Sequence, residues 1–235
     1  MADSEAKRAT IERNLAEVLR RIAAACARAG RKAEEVSLIA VTKTAGLEEV
    51  RILADLGVKK MGETRVQDAA PKIANAPAGI EWHMIGNLQR NKVGKALELF
   101  DALDAVDSER LAREIDKHAA KRGGAVPVLL EVNTGGEAAK HGVPVEGLRA
   151  LAESVRALPN LRVEGLLTMA PLVDNAAEWR RRFKALRAAA DGLKQLEGER
   201  FSMRRLSMGM TQDYEAAIEE GATEVRIGSA LFLGL

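Results

Sequence analysis

Val36-Ser37-Leu38-Ile39-Ala40-Val41-Thr42-Lys43 is the first of eight short apolar runs in a chain of 235 residues, and its reading decides the fold. Its composition is that of a buried strand, yet it closes on a lysine. Strand periodicity sends Ile39, Val41 and Lys43 to one face, so the amine emerges at the strand's carboxyl end among apolar neighbours. A lysine is rarely placed there unless something pairs with its charge or uses its nitrogen. On this residue alone two readings stay open: a side chain that snorkels to water, or an amine that condenses with a carbonyl.

Working outward, short apolar runs alternate with longer amphipathic ones to the carboxyl end, a repeated βα rhythm. The predicted strands are 36–43, 59–63, 81–86, 102–107, 127–133, 162–169, 205–210 and 224–228. Helical patterns at 47–56, 66–74, 92–100, 108–121, 145–158, 176–196 and 212–220 separate them. An opening helix over about 4–29 precedes the first strand, with Gly30 as its stop. Ser108 and Asn175 read as caps, Gly57 and Gly221 as helix stops. Eight strands joined by helical crossovers fit a closed α/β barrel of the (β/α)8 TIM type. The whole of 1–235 is expected to be one domain, with the barrel over about 36–232 and the first helix in the outer position beside the eighth strand. A doubly wound open sheet is the rival, weakened because no Gly-x-Gly-x-x-Gly follows the first strand.

The formal charge of +2 arises from 36 basic and 34 acidic residues, so no basic field favours nucleic acid. The one basic cluster, Arg180-Arg181-Arg182, has helical spacing with Trp179, Phe183 and Leu186 and is expected on a solvated helix face. Cys26, the only cysteine, excludes an internal disulfide and reads as a small buried hydrophobe. No segment has targeting or membrane-spanning character, so a cytoplasmic protein without membrane contact is expected, and with no long exposed apolar patch evident from its helices, a monomer.

In such a barrel the chemistry gathers where strands end and loops begin. The loops after the last two strands, Ser207-Met208-Gly209-Met210 and Arg226-Ile227-Gly228-Ser229, combine hydroxyls with glycines that let backbone approach an anion. With Lys43, they suggest a phosphorylated aldehyde held at both ends. Arg226 either hydrogen-bonds a bound heterocycle or anion, or neutralises a carboxylate such as Glu224. His83, between Trp82 and Met84, is either a core histidine or a base. His83, His118 and His141 lack ligand spacing, so no metal is expected.

Leu38-Ile39-Ala40-Val41-Thr42-Lys43-Thr44, Gly62-Glu63, Trp82-His83-x-Ile85-Gly86-x-Leu88-Gln89-x-Asn91-Lys92, Leu206-Ser207-Met208-Gly209-Met210 and Val225-Arg226-Ile227-Gly228 occur in order. From about Ser37 to Phe232 the chain resembles the pyridoxal phosphate homeostasis protein family. The resemblance implies a fold-type III barrel related to the amino-terminal domain of alanine racemase. It implies pyridoxal 5'-phosphate (PLP) held as an internal aldimine on Lys43, with the phosphate near Ser207, Gly209, Gly228 and Ser229. Arg226 is expected near the pyridine nitrogen, and His83 and Thr64 complete the expected cofactor set. The implied role is buffering the cofactor and delivering it to apo PLP-dependent enzymes, without turnover. Two positions depart from the family: Thr64-Arg65 replaces Asn-Tyr, and Ala139-Lys140-His141-Gly142 loses a serine while keeping Lys140.

Three other functions compete. A PLP-dependent racemase or decarboxylase needs a second acid/base; alanine racemase draws it from a further domain and the partner subunit. Tyr214, the only tyrosine, is expected to pack instead. A cofactor-free aldolase could use Lys43 on a phosphorylated sugar. A nucleic-acid module is disfavoured by the balanced charge.

Overall fold

The computed structural model describes residues 2–135, 141–169 and 175–235. Eight parallel strands form a closed inner ring: β1 (Ser37–Val41), β2 (Lys60–Glu63), β3 (Glu81–Met84), β4 (Ala102–Val106), β5 (Val126–Asn133), β6 (Leu161–Leu167), β7 (Phe201–Ser207) and β8 (Glu224–Ile227). Each pairs with its neighbours in sequence, and β8 returns to β1 with Ile39 opposite Arg226. The α/β barrel is thus the observed fold. An additional two-residue strand, Val143–Pro144, pairs with Val132 and Asn133.

Helices α2 (Leu47–Asp55), α3 (Val66–Asn75), α4 (Val93–Leu99), α5 (Glu109–Arg122), α6 (Leu148–Arg156), α7 (Ala176–Leu193) and α8 (Tyr214–Glu219) follow β1 to β7 in turn. Helix α1 (Ala2–Arg28) takes the outer position beside β8, packing on α8 and α2. Its stripe of Ile11, Leu15, Val18, Ile22 and Cys26 recurs every three or four residues and is buried. Arg21 and Arg28 reach Glu215 on α8, and Arg28 also reaches Glu219. The expected stops hold: Gly30, Gly57 and Gly221 have φ of +65°, +89° and +104°. Ser108 Oγ accepts from the Leu111 amide and Asn175 Oδ1 from the Glu178 amide, as N-caps do.

Several boundaries differ from expectation. β1 ends at Val41, not Lys43, because the last ladder pairs are Val41 with Gly62 and Ala40 with Ile227; beyond them the chain turns. β3 and β6 likewise stop at Met84 and Leu167, and β7 stops at Ser207. β7 begins at Phe201, ahead of the expected Arg205, where buried Phe201 and Met203 alternate with the less buried Ser202 and Arg204. The basic cluster is also not wholly solvated. Arg180 pairs with Glu219 and Glu220 and Arg181 with Glu178, but Arg182 is buried against Gly135.

Period-two alternation divides the strands. Val128, Leu130 and Val132 belong to the core between sheet and helices, whereas Leu129 and Glu131 face the axis. Gly62 makes room on that axis: a Cβ there would lie 2.9 Å from Ile85 Cδ1 and 3.0 Å from Ile39 Cγ2. Toward the amino-terminal ends the interior is ionic. His83 Nδ1 lies 2.6 Å from Asp104 and its Nε2 3.1 Å from Glu81. Arg205 bonds Asp104, Glu164 and Glu224, and Lys60 bonds Glu224 at 2.8 Å. Burial opposes the imidazolium, but Asp104, by charge and hydrogen bond, and Glu81 outweigh it and push His83 up to about 9.

Candidate cofactor site

At the opposite end of the barrel, where the strands' carboxyl ends converge, lies a cavity of about 370 Å³. Val41 lines it from the end of β1, Lys43 and Thr44 from the turn that follows, Thr64 from just after β2, and Ile85 and Gly86 from just after β3. Met169 follows β6, Met210 to Asp213 follow β7, and Arg226, Gly228 and Ser229 come from β8 and the turn after it. Lys43 is the second residue of a four-residue turn in which the Ala45 amide donates to the Thr42 carbonyl at 3.0 Å. Its side chain is exposed to the cavity and makes no hydrogen bond or ion pair with the described residues. The lysine therefore does not lie in the strand, and its amine has no partner among the described residues.

Arg226 is 3% exposed, donating from Nη1 to Ser207 Oγ and from Nη2 to the Thr168 carbonyl, each at 2.8 Å. Among the described residues no carboxylate lies within 4.0 Å of it, so the reading of Arg226 as a partner of Glu224 fails; Glu224 is taken by Lys60 and Arg205. Burial lowers the guanidinium from its ordinary value. Asp213 is buried, accepts from the Met210 amide at 2.6 Å, and has its carboxyl raised by burial. Ser229 Oγ donates to Thr211 Oγ1 at 3.2 Å, joining the two loops. Among the described residues, the amides of Thr211, Gln212 and Ser229 find no protein acceptor. Such unpaired donors beside a buried guanidinium fit an anion, and the free amine across the cavity fits an aldehyde on the same molecule.

Of the expected site residues, Lys43, Thr64, Arg226, Gly228 and Ser229 line this cavity. Ser207 lies beneath it as the acceptor for Arg226. Gly209 lies behind it with φ of +93°, where a Cβ would come within 2.6 Å of Ala217 Cβ and 2.8 Å of Tyr214 Cα. His83 is the exception: it does not line the cavity, because Asp104 and Glu81 hold it in the ionic network below. Lys140 and Ala139 lie outside the described residues. Arg65 is exposed on Asp68, and Tyr214 is buried with Arg21 over its ring, the packing role expected of it. Thr211, Gln212, Asp213, Met169 and Gly86 were not expected. The polar Thr211-Gln212-Asp213 between an apolar run and a helix was the available signal. Gly86 stood in the third-strand motif, but its reason is three-dimensional, a Cβ there coming 2.6 Å from Thr64 O and 2.9 Å from Thr64 Cα.

Among the described residues no group of His, Cys, Asp and Glu could hold a metal, and no helix is long and apolar enough to cross a membrane. The family model for the alanine racemase N-terminal domain matches residues 14–235. A pyridoxal phosphate homeostasis protein of Aquifex aeolicus (strain VF5) is 42% identical over 219 residues, covering 93% of this chain and 95% of the relative. The chain belongs to the pyridoxal phosphate homeostasis protein family. Solved structures agree with this family placement. PipY of Synechococcus elongatus PCC7942, with PLP bound, has a TM-score of 0.81 and 33% identity over 94% of this chain and 99% of that one. An unknown protein from Bifidobacterium adolescentis has a TM-score of 0.89 and 38% identity over 97% and 96%.

Proposed function

We propose that this member of the pyridoxal phosphate homeostasis family binds PLP as a Schiff base on Lys43 and holds it for transfer to acceptors, without turning over a substrate of its own. The observation that carries the proposal is that Lys43, with no partner among the described residues, lines one cavity with the buried Arg226 guanidinium and loop residues whose amides have no acceptor among the described residues. PLP bound here would offer its aldehyde carbon to the Lys43 nitrogen, and addition with loss of one water would leave a C=N bond. Thr211, Gln212 and Ser229 would hold the phosphate from their amides. Arg226 would face the ring nitrogen; an arginine there would disfavour protonation of that nitrogen and weaken the ring as an electron sink, which suits storage better than carbanion chemistry. The relatives' names, homeostasis proteins and not enzymes, support the same reading.

The test is an absorbance spectrum of the PLP-supplemented protein before and after borohydride reduction, with peptide mapping of the adduct. We expect a reducible band and a pyridoxyl group on Lys43, both lost in Lys43→Ala. No band and no adduct would reject the proposal and leave the cofactor-free aldolase to be tested. Amino-acid turnover that disappears in Lys43→Ala would replace storage with catalysis.

A further inference from the structure

The peptide that carries Lys43 is held from below by a second lysine. Lys72, in α3, donates from Nζ to the Thr42 carbonyl at 2.6 Å and to Glu63 Oε1 at 2.7 Å. Thr42 Oγ1 donates to the same Glu63 oxygen at 2.6 Å. Thr42 and Glu63 are fully buried, and the Lys72 side chain is only 13% exposed. The Thr42 carbonyl also closes the Thr42–Ala45 turn, so Lys72 grips the acceptor that fixes the conformation around Lys43. Glu63 in turn immediately precedes the cavity-lining Thr64. Two lysines near one cavity thus have opposite situations: Lys43 is unengaged, and Lys72 is ion-paired and doubly bonded.

We infer that Lys72 is a positioning residue that sets the direction in which Lys43 leaves its turn. The inference rests on the Schiff-base reading above. A misaimed amine condenses slowly even in an otherwise intact cavity, because attack needs the nitrogen near the aldehyde carbon in a narrow range of directions. Replacing the ammonium removes the grip on the Thr42 carbonyl and leaves the buried Glu63 carboxylate with the Thr42 hydroxyl but without the Lys72 counter-charge.

The experiment compares the unsubstituted protein, Lys72→Met and Lys72→Arg in three readouts. These are the rate of borohydride-trappable PLP attachment at Lys43, the affinity for pyridoxine 5'-phosphate, which has no aldehyde, and the melting temperature. We expect Lys72→Met to attach PLP about tenfold more slowly, with pyridoxine 5'-phosphate affinity within about twofold of the parent. Lys72→Arg, which keeps charge and donors, should recover most of the rate. Should the methionine variant not fold, Lys72→Gln, which keeps a donor for the Thr42 carbonyl but loses the charge and reach of the ammonium, carries the test, with an expected slowing of about threefold at unchanged analogue affinity. An unchanged attachment rate in the variant that folds overturns the inference, and so do equal losses of rate and analogue affinity. If the unsubstituted protein forms no Lys43 adduct, the functional reading itself falls, and Lys72 has no attachment to position.

Discussion

Glu131 shows how far one side chain can depart from the rule that buried polar groups are bonded. It faces the barrel axis, is 2% exposed, and its Oε2 is buried without a hydrogen-bond partner among the described residues. Burial, reinforced by Asp107, raises its carboxyl, against the opposing influence of His141 and Arg226. The folded chain therefore binds this proton more tightly than the unfolded one, so stability falls as pH rises from about 4.5, the unfolded carboxyl value, through the raised folded value. Glu131→Gln removes that loss: urea melts should show equal stability at pH 4 and a gain on the order of 1 kcal/mol at pH 8. At this scale the sequence was partly legible. Lys43 announced itself because a charge at the end of an apolar run is anomalous, while Glu63 and Lys72 looked ordinary because their pairing crosses from a strand to a helix. His83 misled for a related reason: its motif marked the strand, but only the fold brings Asp104 and Glu81 to it.

The elements were more legible than their ends. Apolar periodicity located every barrel strand and surrounding helix, since burial of a stripe leaves a pattern within the element itself. Ends depend on partners. β1 stops where Gly62 and Ile227 stop pairing, and β7 starts early because Phe201 has Val163 beside it on β6. Gly209 has two requirements that belong to the β7–α8 connection: its φ of +93° and its close approach to Tyr214. Gly209→Ala should cost about 2–4 kcal/mol in urea unfolding, combining backbone strain with contact against Tyr214 Cα. Because α8 would shift away from the loop bearing Thr211 and Gln212, the same variant should bind pyridoxine 5'-phosphate more weakly by titration calorimetry. A stable variant with parental affinity would show that the loop does not depend on this close packing.

Across the whole molecule the barrel carries ionic chemistry at one end and a ligand cavity at the other. The His83, Asp104 and Arg205 network predicts a distinct pH response. His83 has a folded value of about 9 against 6.5 unfolded, so its contribution is fully present below pH 6.5 and is lost as pH rises through about 9. His83→Gln should therefore destabilise the protein on the order of 2 kcal/mol at pH 6 by denaturant melts, with the gap closing toward pH 10. Lys43 adduct formation by the variant should survive, because His83 does not line the cavity. The close approach of Gly86 to Thr64 has a consequence for how this family can diversify. Main chain presses on main chain there, so the course of the rim at residue 64 is set by its neighbour and not by its own side chain. Residue 64 is consequently a place where ligand preference can be retuned, by selection or by a designer, while the scaffold that presents it stays as it is.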